Sequence, residues 1–248
     1  MTNRSDPGTE WQTATVESVV CESPRVKLFR LKLPGRGEFR AGQYYDIRLS
    51  APDGYQAQRS YSVTSSPDVP DMIELAIELI PGGEVSSFFH EAVEPGEQIE
   101  LRGPIGGHFT WTPDFRAPVL LVAGGSGIAP MMSMLRHRHA AGSRSPMSLL
   151  YSVRTEPDIL FRPELERLAA EDGNLDIVST LTRGAPPGWT GETRRIDRPM
   201  IDSVLEAFGR VTGRAYVCGG TGFVEAVGSH LLDCGVSYNE IRTERFGP

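Results

Sequence analysis

The chain has 248 residues, long for one ordinary domain and suited to two of about 100 to 150 residues each. Its 25 Lys+Arg against 32 Asp+Glu give a net charge of −7, and nothing in that balance suggests a nucleic-acid binder. Hydrophobic residues at 39% and charged residues at 23% describe a globular chain rather than a disordered one.

Residues 1–10 are polar, lack the apolar core of a secretion signal and read as a flexible tail, so the expectation is a cytoplasmic protein. From Trp11 to about Phe109, six short β-type runs follow one another: Thr13–Cys21, Arg25–Leu33, Gln43–Leu49, Gln58–Thr64, Met72–Ile80 and Gln98–Arg102. Pro- and Gly-rich turn signals separate them, such as Pro34-Gly35-Arg36-Gly37 and Pro81-Gly82-Gly83. Period-two burial is only partial in Arg25–Leu33, where Phe29 breaks the alternation. Glu84–Val93 is the one helical segment of this half. Six short strands with one helix suggest a closed antiparallel barrel, because closure removes exposed strand edges.

Two prolines mark a boundary at 113–118, dividing a first domain at 11–112 from a second at 119–248. Beyond it the rhythm becomes strand, glycine turn, helix. Val119–Ala123 is a pure apolar run, as in a parallel strand buried on both faces. A helix at Ala129–Ala141, a strand at Ser148–Val153, a helix at Pro163–Asp172 and a strand at Leu175–Leu181 follow. A helix at Met200–Phe208, a strand at Ala215–Cys218 and a helix at Phe223–Cys234 complete the pattern. Such alternation predicts an α/β domain with a parallel sheet covered on both sides. The apolar stretches Pro118–Ala123 and Ile128–Leu135 are too short to span a bilayer. Cys21, Cys218 and Cys234 lie far apart with no CxxC pair, which argues against a disulfide framework, a zinc ribbon or a four-thiolate cluster, and no metal is expected.

Four segments carry chemistry. Gly124-Gly125-Ser126-Gly127-Ile128-Ala129-Pro130 follows a buried strand and opens a helix. Its glycines allow close backbone approach to a phosphate, and the helix start supplies unpaired N–H groups. Proline replaces the third glycine of GxGxxG and suits the first helical turn. Arg59-Ser60-Tyr61-Ser62 lies in a strand, so Arg59 and Tyr61 share a face and can line one ligand surface. Pro81-Gly82-Gly83-Glu84-Val85-Ser86-Ser87-Phe88-Phe89 runs from a glycine turn into a helix, a second anion site or a simple N-cap. Gly103-Pro104-Ile105-Gly106-Gly107-His108-Phe109 is a glycine-rich exit from the barrel.

In this order, and with Tyr216-Val217-Cys218-Gly219-Gly220 and Glu244-Arg245-Phe246 near the end, the segments resemble the ferredoxin–NADP reductase family of flavin-dependent oxidoreductases. The resemblance runs from about Trp11 to Phe246. It implies a six-stranded all-β Greek-key barrel binding FAD, rather than FMN, followed by an α/β Rossmann-like parallel-sheet domain binding NAD(P). Arg59 would pair with the flavin phosphate, Tyr61 would stack on the ring system and Ser62 would hydrogen-bond beside it, with Ser60 in the same motif. Gly83, Glu84, Val85, Ser86 and Ser87 would line the phosphate, and Ile77 and Glu78 the neighbouring strand end. Gly125, Ser126, Gly127 and Pro130 would cradle the dinucleotide pyrophosphate. Cys218 and Gly219 would lie beside the nicotinamide, Glu244 would assist proton or electron transfer, and Phe246 would cover the flavin. Ser62, Cys218, Glu244 and Phe246 are thus the expected catalytic group.

Coenzyme choice has a physical handle, since an acid after the second strand suits a ribose 2′-OH and an arginine suits a 2′-phosphate. Arg154 ends that strand here, with Thr182, Arg183, Arg194 and Arg195 in the following loops, so NADPH is expected over NADH. Electrons would pass to a separate acceptor protein, a ferredoxin, flavodoxin or oxygenase component. A free-flavin or small-molecule reductase, or a flavin subunit of a larger complex, is the alternative, and a monomer is expected. Arg36, Arg40 and Arg48 would have to form a local basic surface for an acidic partner to dock. Arg136-His137-Arg138-His139 reads as a solvated helix face, Met131-Met132-Ser133-Met134 as core, His90 and His108 as structural or surface groups. Trp111 and Trp189 are placed at a domain edge, Trp189 beside the adenosine.

Overall fold

The computed structural model describes residues 10–247, so residues 1–9 of the expected tail lie outside the described residues. Two compact units emerge, one grouping the chain up to Thr112 with Met132–Ala140, the other grouping Pro113–Met131 with the chain from Ala141 onward.

The first unit contains β1 (Gln12–Ser23), β2 (Val26–Lys32), β3 (Tyr44–Ser50), β4 (Gln56–Ser62), β5 (Met72–Glu78), α1 (Glu84–Glu91) and β6 (Gln98–Ile105). The sheet order is β4-β3-β6-β1-β2-β5, with every neighbour antiparallel. Its two edges meet where Val63 bridges Leu75 and the Thr64 N–H donates to the Glu74 carbonyl at 2.8 Å, so the sheet closes. β3, β4 and β5 follow one another around the closure and β6 returns beside β3, the Greek-key order the resemblance implied. Alternate residues of the strands, among them Val16, Phe29, Leu31, Ile47, Ile73 and Leu101, fill the interior. Phe29, Leu31 and Leu33 alternate into the interior, and Leu28, on the other face of an unshifted β2, is buried as well, so both faces of this strand carry apolar residues. Helix α1 adds Val85 and Phe89, the latter edge-on to Phe29 at 4.9 Å between ring centroids.

The second unit contains β7 (Val119–Gly124), a 3₁₀ turn at Gly125–Gly127, the start of α2 (Ile128–Ala140), β8 (Met147–Val153), α3 (Arg162–Glu171) and β9 (Leu175–Leu181). It continues with α4 (Arg198–Ala207), β10 (Arg214–Gly220), α5 (Thr221–Asp233) and β11 (Ile241–Phe246). The five strands are parallel in the order β11-β10-β7-β8-β9, so the strand order reverses at β7 and β10, a topological switch point. β7 is buried except for Gly124, as its unbroken apolar run required, and β8 is buried throughout, Ser148 and Ser152 included. β11 was not anticipated, because Ile-Arg-Thr-Glu-Arg-Phe lies at the sheet edge and carries no apolar run.

The expectation of a solvated face at residues 136–139 is corrected. Arg136 donates to Glu74 Oε1 at 2.7 Å and to the Thr64 carbonyl at 3.0 Å, and His137 Nδ1 lies 2.7 Å from Asp68 Oδ2. Arg138 is buried, and of the four only His139 is exposed. These residues pack with the barrel unit, so the face that looks polar in a helical projection meets polar barrel residues rather than water. Met131, Met132 and Met134 are buried as expected, and so is Trp111. No helix among the described residues is long and apolar enough to cross a membrane.

Candidate functional site

Strand β4 sets the candidate site of the first unit. Alternation sends Ser60 to one side and Arg59 and Tyr61 to the other. Ser60 Oγ donates to Asp46 Oδ1 at 2.6 Å, and Asp46 also accepts from Gln58 at 2.9 Å and from Arg102 at 2.9 and 3.0 Å, so the Ser60 side chain serves a polar ladder on the barrel wall. Arg59 is exposed and its guanidinium donates to the neighbouring Gln58 carbonyl at 2.7 Å. Tyr61 is half-buried with its ring 6.4 Å from that of Phe89, and burial pushes its hydroxyl up to about 12. Ser62 ends the strand, half-buried.

Helix α1 begins at Gly83 with no side-chain cap. The first N–H groups of a helix have no intrahelical partner and carry the positive end of its dipole. Ser86 is buried and spent on the turn itself: its hydroxyl donates to the Gly83 carbonyl and accepts from the Ile80 N–H, both at 3.2 Å. The expected hydroxyl contact thus falls to the half-buried Ser87. Glu84 accepts from the Tyr55 hydroxyl at 2.9 Å, and Arg59 lies close enough to act on Tyr55 electrostatically. Ile77 is a core side chain whose carbonyl meets His90 Nε2 at 2.8 Å, and Glu78 is paired with Arg25 at 2.7 Å. The Ile77 side chain is thus not available to a ligand. An exposed arginine, the uncapped N-terminus of α1 and an aromatic ring fit a flavin phosphate and its ring system, with the Glu84 carboxylate as the acceptor at the helix start.

The candidate site of the second unit is built on backbone. Gly125 has φ of +57°, with open space where a Cβ would point. A Cβ on Gly127 would lie 2.2 Å from the Cys218 carbonyl oxygen, so only glycine lets this turn press against the end of β10. Pro130 is buried in the first turn of α2, and Ser126 is half-buried. The Phe223 ring lies over Gly124 and Gly219, where added Cβ atoms would approach it to 3.0 and 2.6 Å. Sequence reasoning missed Phe223 and Tyr55; aromatic residues beside the glycine turns Gly219-Gly220 and Pro52-Asp53-Gly54 were the available signal. This glycine turn at the carboxyl ends of β7 and β10, facing a helix start, fits a pyrophosphate.

Register pairs Cys218 of β10 with Glu244 of β11 and Gly220 with Phe246. Cys218 is 3% exposed, and burial, then the Glu244 carboxylate, push its thiol up, which favours the neutral thiol over the thiolate. Burial alone pushes the Glu244 carboxyl up to about 7. Phe246 is exposed at the strand end.

Of the expected coenzyme cations, Arg154 and Arg183 are exposed and adjoin through an Arg183 N–H to Arg154 carbonyl bond of 2.8 Å. Thr182 turns its hydroxyl onto the Val153 carbonyl at 3.1 Å. Arg195 is exposed, but Arg194 is held by Asp197 at 2.7 Å and by Glu192, so the expected four free cations reduce to three. Trp189 lines a cavity of about 420 Å³ between α3 and the 186–191 loop, with Arg162, Leu165 and Ile177, and its indole N–H donates to the Glu192 carbonyl at 3.1 Å. Of the three arginines a local basic surface would use, Arg48 is paired with Glu100 and stacked on Trp11, Arg36 keeps its charge while donating to the Pro67 and Val69 carbonyls, and Arg40 is exposed.

Residues 13–111 match the oxidoreductase FAD-binding domain and residues 121–229 the oxidoreductase NAD-binding domain. The chain is 34% identical over 212 residues to ferredoxin–NADP reductase B of Sorangium cellulosum, covering 84% of this chain and 85% of that one. It is 31% identical over 212 residues to the glycine betaine monooxygenase reductase subunit of Pseudomonas aeruginosa, covering 85% of this chain and 57% of the relative; it thus spans little more than half that relative's length. The crystal structure of a ferredoxin–NADP⁺ reductase from Neisseria gonorrhoeae with bound FAD and NADP shares the fold, with a TM-score of 0.79 at 24% identity over 95% of this chain and 98% of that one. With matching FAD-binding and NAD-binding domains in tandem and a relative aligned over most of both chains, this chain belongs to the ferredoxin–NADP reductase family of oxidoreductases.

Proposed function

We propose that the chain takes hydride from NADPH onto FAD and passes electrons to a separate protein, a ferredoxin, flavodoxin or oxygenase component. The observation that carries this reading is the pair of phosphate cradles, one in each unit: Arg59 with the start of α1, and the Gly125–Gly127 turn with the start of α2. Bound FAD supplies the hydride acceptor and the means to release electrons singly. In this reading Arg59 and the α1 N–H groups hold the flavin phosphate, Tyr61 packs on the ring system and Ser62 hydrogen-bonds beside it. Gly125, Gly127 and Pro130 hold the coenzyme pyrophosphate. Cys218 offers a small uncharged wall, Glu244 holds a proton near neutral pH, and Phe246 covers the flavin until the coenzyme arrives.

An anaerobic absorbance titration tests the core of this reading. Stoichiometric bleaching of the flavin band by NADPH is expected, and a flavin-loaded protein that neither NADPH nor NADH bleaches would overturn it. The preference for NADPH rests on Arg154, Arg183 and Arg195. Arg183→Ala should raise the KM for NADPH about tenfold, as loss of a charged phosphate contact does, and leave that for NADH within twofold. Equal effects on both coenzymes would remove the 2′-phosphate argument. The named functions of the relatives, a ferredoxin–NADP reductase and a monooxygenase reductase subunit, support a protein acceptor. Turnover with free FMN but with no ferredoxin, flavodoxin or oxygenase component would favour the small-molecule reductase instead.

A further inference from the structure

The cavity between α3 and the 186–191 loop, within the second unit, shares no residue with either phosphate cradle. Its volume of about 420 Å³ falls inside the range of roughly 300–1,000 Å³ that holds small molecules. Ile159, Leu165, Ala169 and Ile177 give it apolar walls, and Ser179 and Thr190 add hydroxyls. Trp189 is fixed at two points. Its N–H is spent on the Glu192 carbonyl, and its six-membered ring packs so closely on Gly191 that a Cβ there would come within 2.6 Å. What the indole offers a ligand is therefore its π surface. The charged part of the lining is acidic on balance. Glu156 and Glu166 share one guanidinium, that of Arg162, which pairs with Glu166 at 2.8 Å and also with Glu156. Arg162 is the one guanidinium in the lining among the described residues, and Arg154, Arg183 and Arg195 lie outside it. The cavity thus lacks the free cations that a phosphorylated coenzyme asks for.

We propose that this cavity is a second small-molecule site, whose ligand is a planar aromatic amine carrying a positive charge. A flat ring suits an apolar slot beside a fixed indole, where aromatic contacts add to the burial of area. A cation is attracted by the quadrupole of an indole more strongly than by that of any other aromatic side chain. It is attracted again by two carboxylates that one guanidinium does not neutralise. An anion of the same shape is repelled on both counts. The site is therefore selective by charge as well as by shape, and in the sense opposite to a coenzyme phosphate site.

The test is a ligand-observed NMR titration of the full chain with three molecules that share one ring system and differ in charge: tryptamine, indole and indole-3-acetate. Saturable binding is expected to weaken in that order, by about tenfold from first to last, as modest charge effects at a partly open site allow. Trp189→Ala should weaken all three by about three- to tenfold, the worth of an aromatic contact. Ala169→Leu keeps a good helix former on α3 and fills the cavity from that side, so it should weaken them as well. Glu166→Gln changes charge and not shape; it should compress the order to about threefold and leave indole within about twofold. Glu166 is exposed, so the fold should survive that change. Saturating NADP⁺ should leave tryptamine binding within about twofold of its value without coenzyme. The proposal is overturned if tryptamine shows no saturable binding below about 10 mM. Indole-3-acetate binding as tightly as tryptamine overturns it too, as does binding that survives both Trp189→Ala and Ala169→Leu. Displacement of tryptamine by NADP⁺ would assign the cavity to the coenzyme and overturn it as well.

Discussion

Glu74 of the barrel is buried and Glu244 of the nucleotide sheet half-buried, and their surroundings treat the two carboxylates in opposite ways. Glu74 is 5% exposed and collects donors: Arg136 at 2.7 Å, Thr64 at 2.8 Å and Arg30 at 3.2 Å. Burial works to raise its carboxyl, but Arg136 and the other donors outweigh that and hold it below the ordinary range. Glu244 has no hydrogen-bond or ion-pair partner among the described residues, and burial alone pushes it up to about 7. A paired buried acid fixes structure at a cost in desolvation; an unpaired one at the end of a sheet is held ready to gain or lose a proton. The difference separates a barrel stitched by charge from a sheet whose site is made of backbone, one thiol and one unpaired acid.

The largest effect should come from unstitching the barrel. Glu74→Ala leaves Arg136 without its carboxylate and should cost about 3–5 kcal/mol, read by chemical denaturation at pH 7. The pH dependence follows from the lowered carboxyl. Its stabilising contribution is fully present above the ordinary carboxylate value of 4.5 and fades as pH falls through the lower folded value. Unsubstituted protein should therefore lose more stability than Glu74→Gln on acidification below about pH 4.5. A cost under about 1 kcal/mol would place Glu74 among ordinary surface pairs and dissolve the contrast.

Glycines sharpen the same comparison between a side-chain site and a backbone site. At Gly127 the obstacle to a Cβ is the Cys218 carbonyl at 2.2 Å, backbone in the middle of a sheet. At Gly83 it is the Ser86 hydroxyl at 2.7 Å, with the Ile80 side chain and carbonyl at 3.1 Å. Gly127→Ala should cost about 2–3 kcal/mol and raise the coenzyme KM by displacing the turn, whereas Gly83→Ala should cost about 1 kcal/mol. Melting curves and coenzyme titrations on both variants check the order; a Gly83 variant as damaged as the Gly127 one would put the two cradles on the same footing.

Much of this architecture could be read from the chain because its strands and turns announce themselves locally. Val119–Ala123 is apolar at every position, and Gly125, Gly127 and Pro130 follow it at fixed spacing, so both the buried strand and its phosphate turn were legible. What stayed hidden depends on long-range placement. β11 forms because β10 offers it an edge, not because Ile241–Phe246 has an apolar rhythm. The polar face of α2 looked solvated because nothing in its own residues reveals Glu74 or Asp68, more than 60 residues earlier in the chain. Ser86, Glu78 and Arg194 matched the expected site by position, yet their side chains are taken by Gly83, Arg25 and Asp197. Sequence spacing reports which residues come near a site, whereas the competing partner that occupies a side chain is visible only in three dimensions.

The smallest and most discriminating change is Glu244→Gln. A carboxyl raised to about 7 in the folded chain, against an ordinary 4.5, binds its proton more tightly folded than unfolded. Stability from this group is therefore highest below about pH 4.5, falls as pH rises toward 7 and is flat beyond, the reverse of the Glu74 profile. Gln is neutral throughout, so the variant should match the unsubstituted chain near pH 4.5 and exceed it by about 1–2 kcal/mol at pH 8. Thermal melts at the two pH values read this without any cofactor chemistry. If the variant is no more stable at pH 8, Glu244 is already paired or solvated and its neighbour Cys218 is raised by burial alone. If it is more stable but oxidises coenzyme more slowly near pH 7, the unpaired carboxylate is one the chain keeps for proton handling, at a site its backbone would be more stable without.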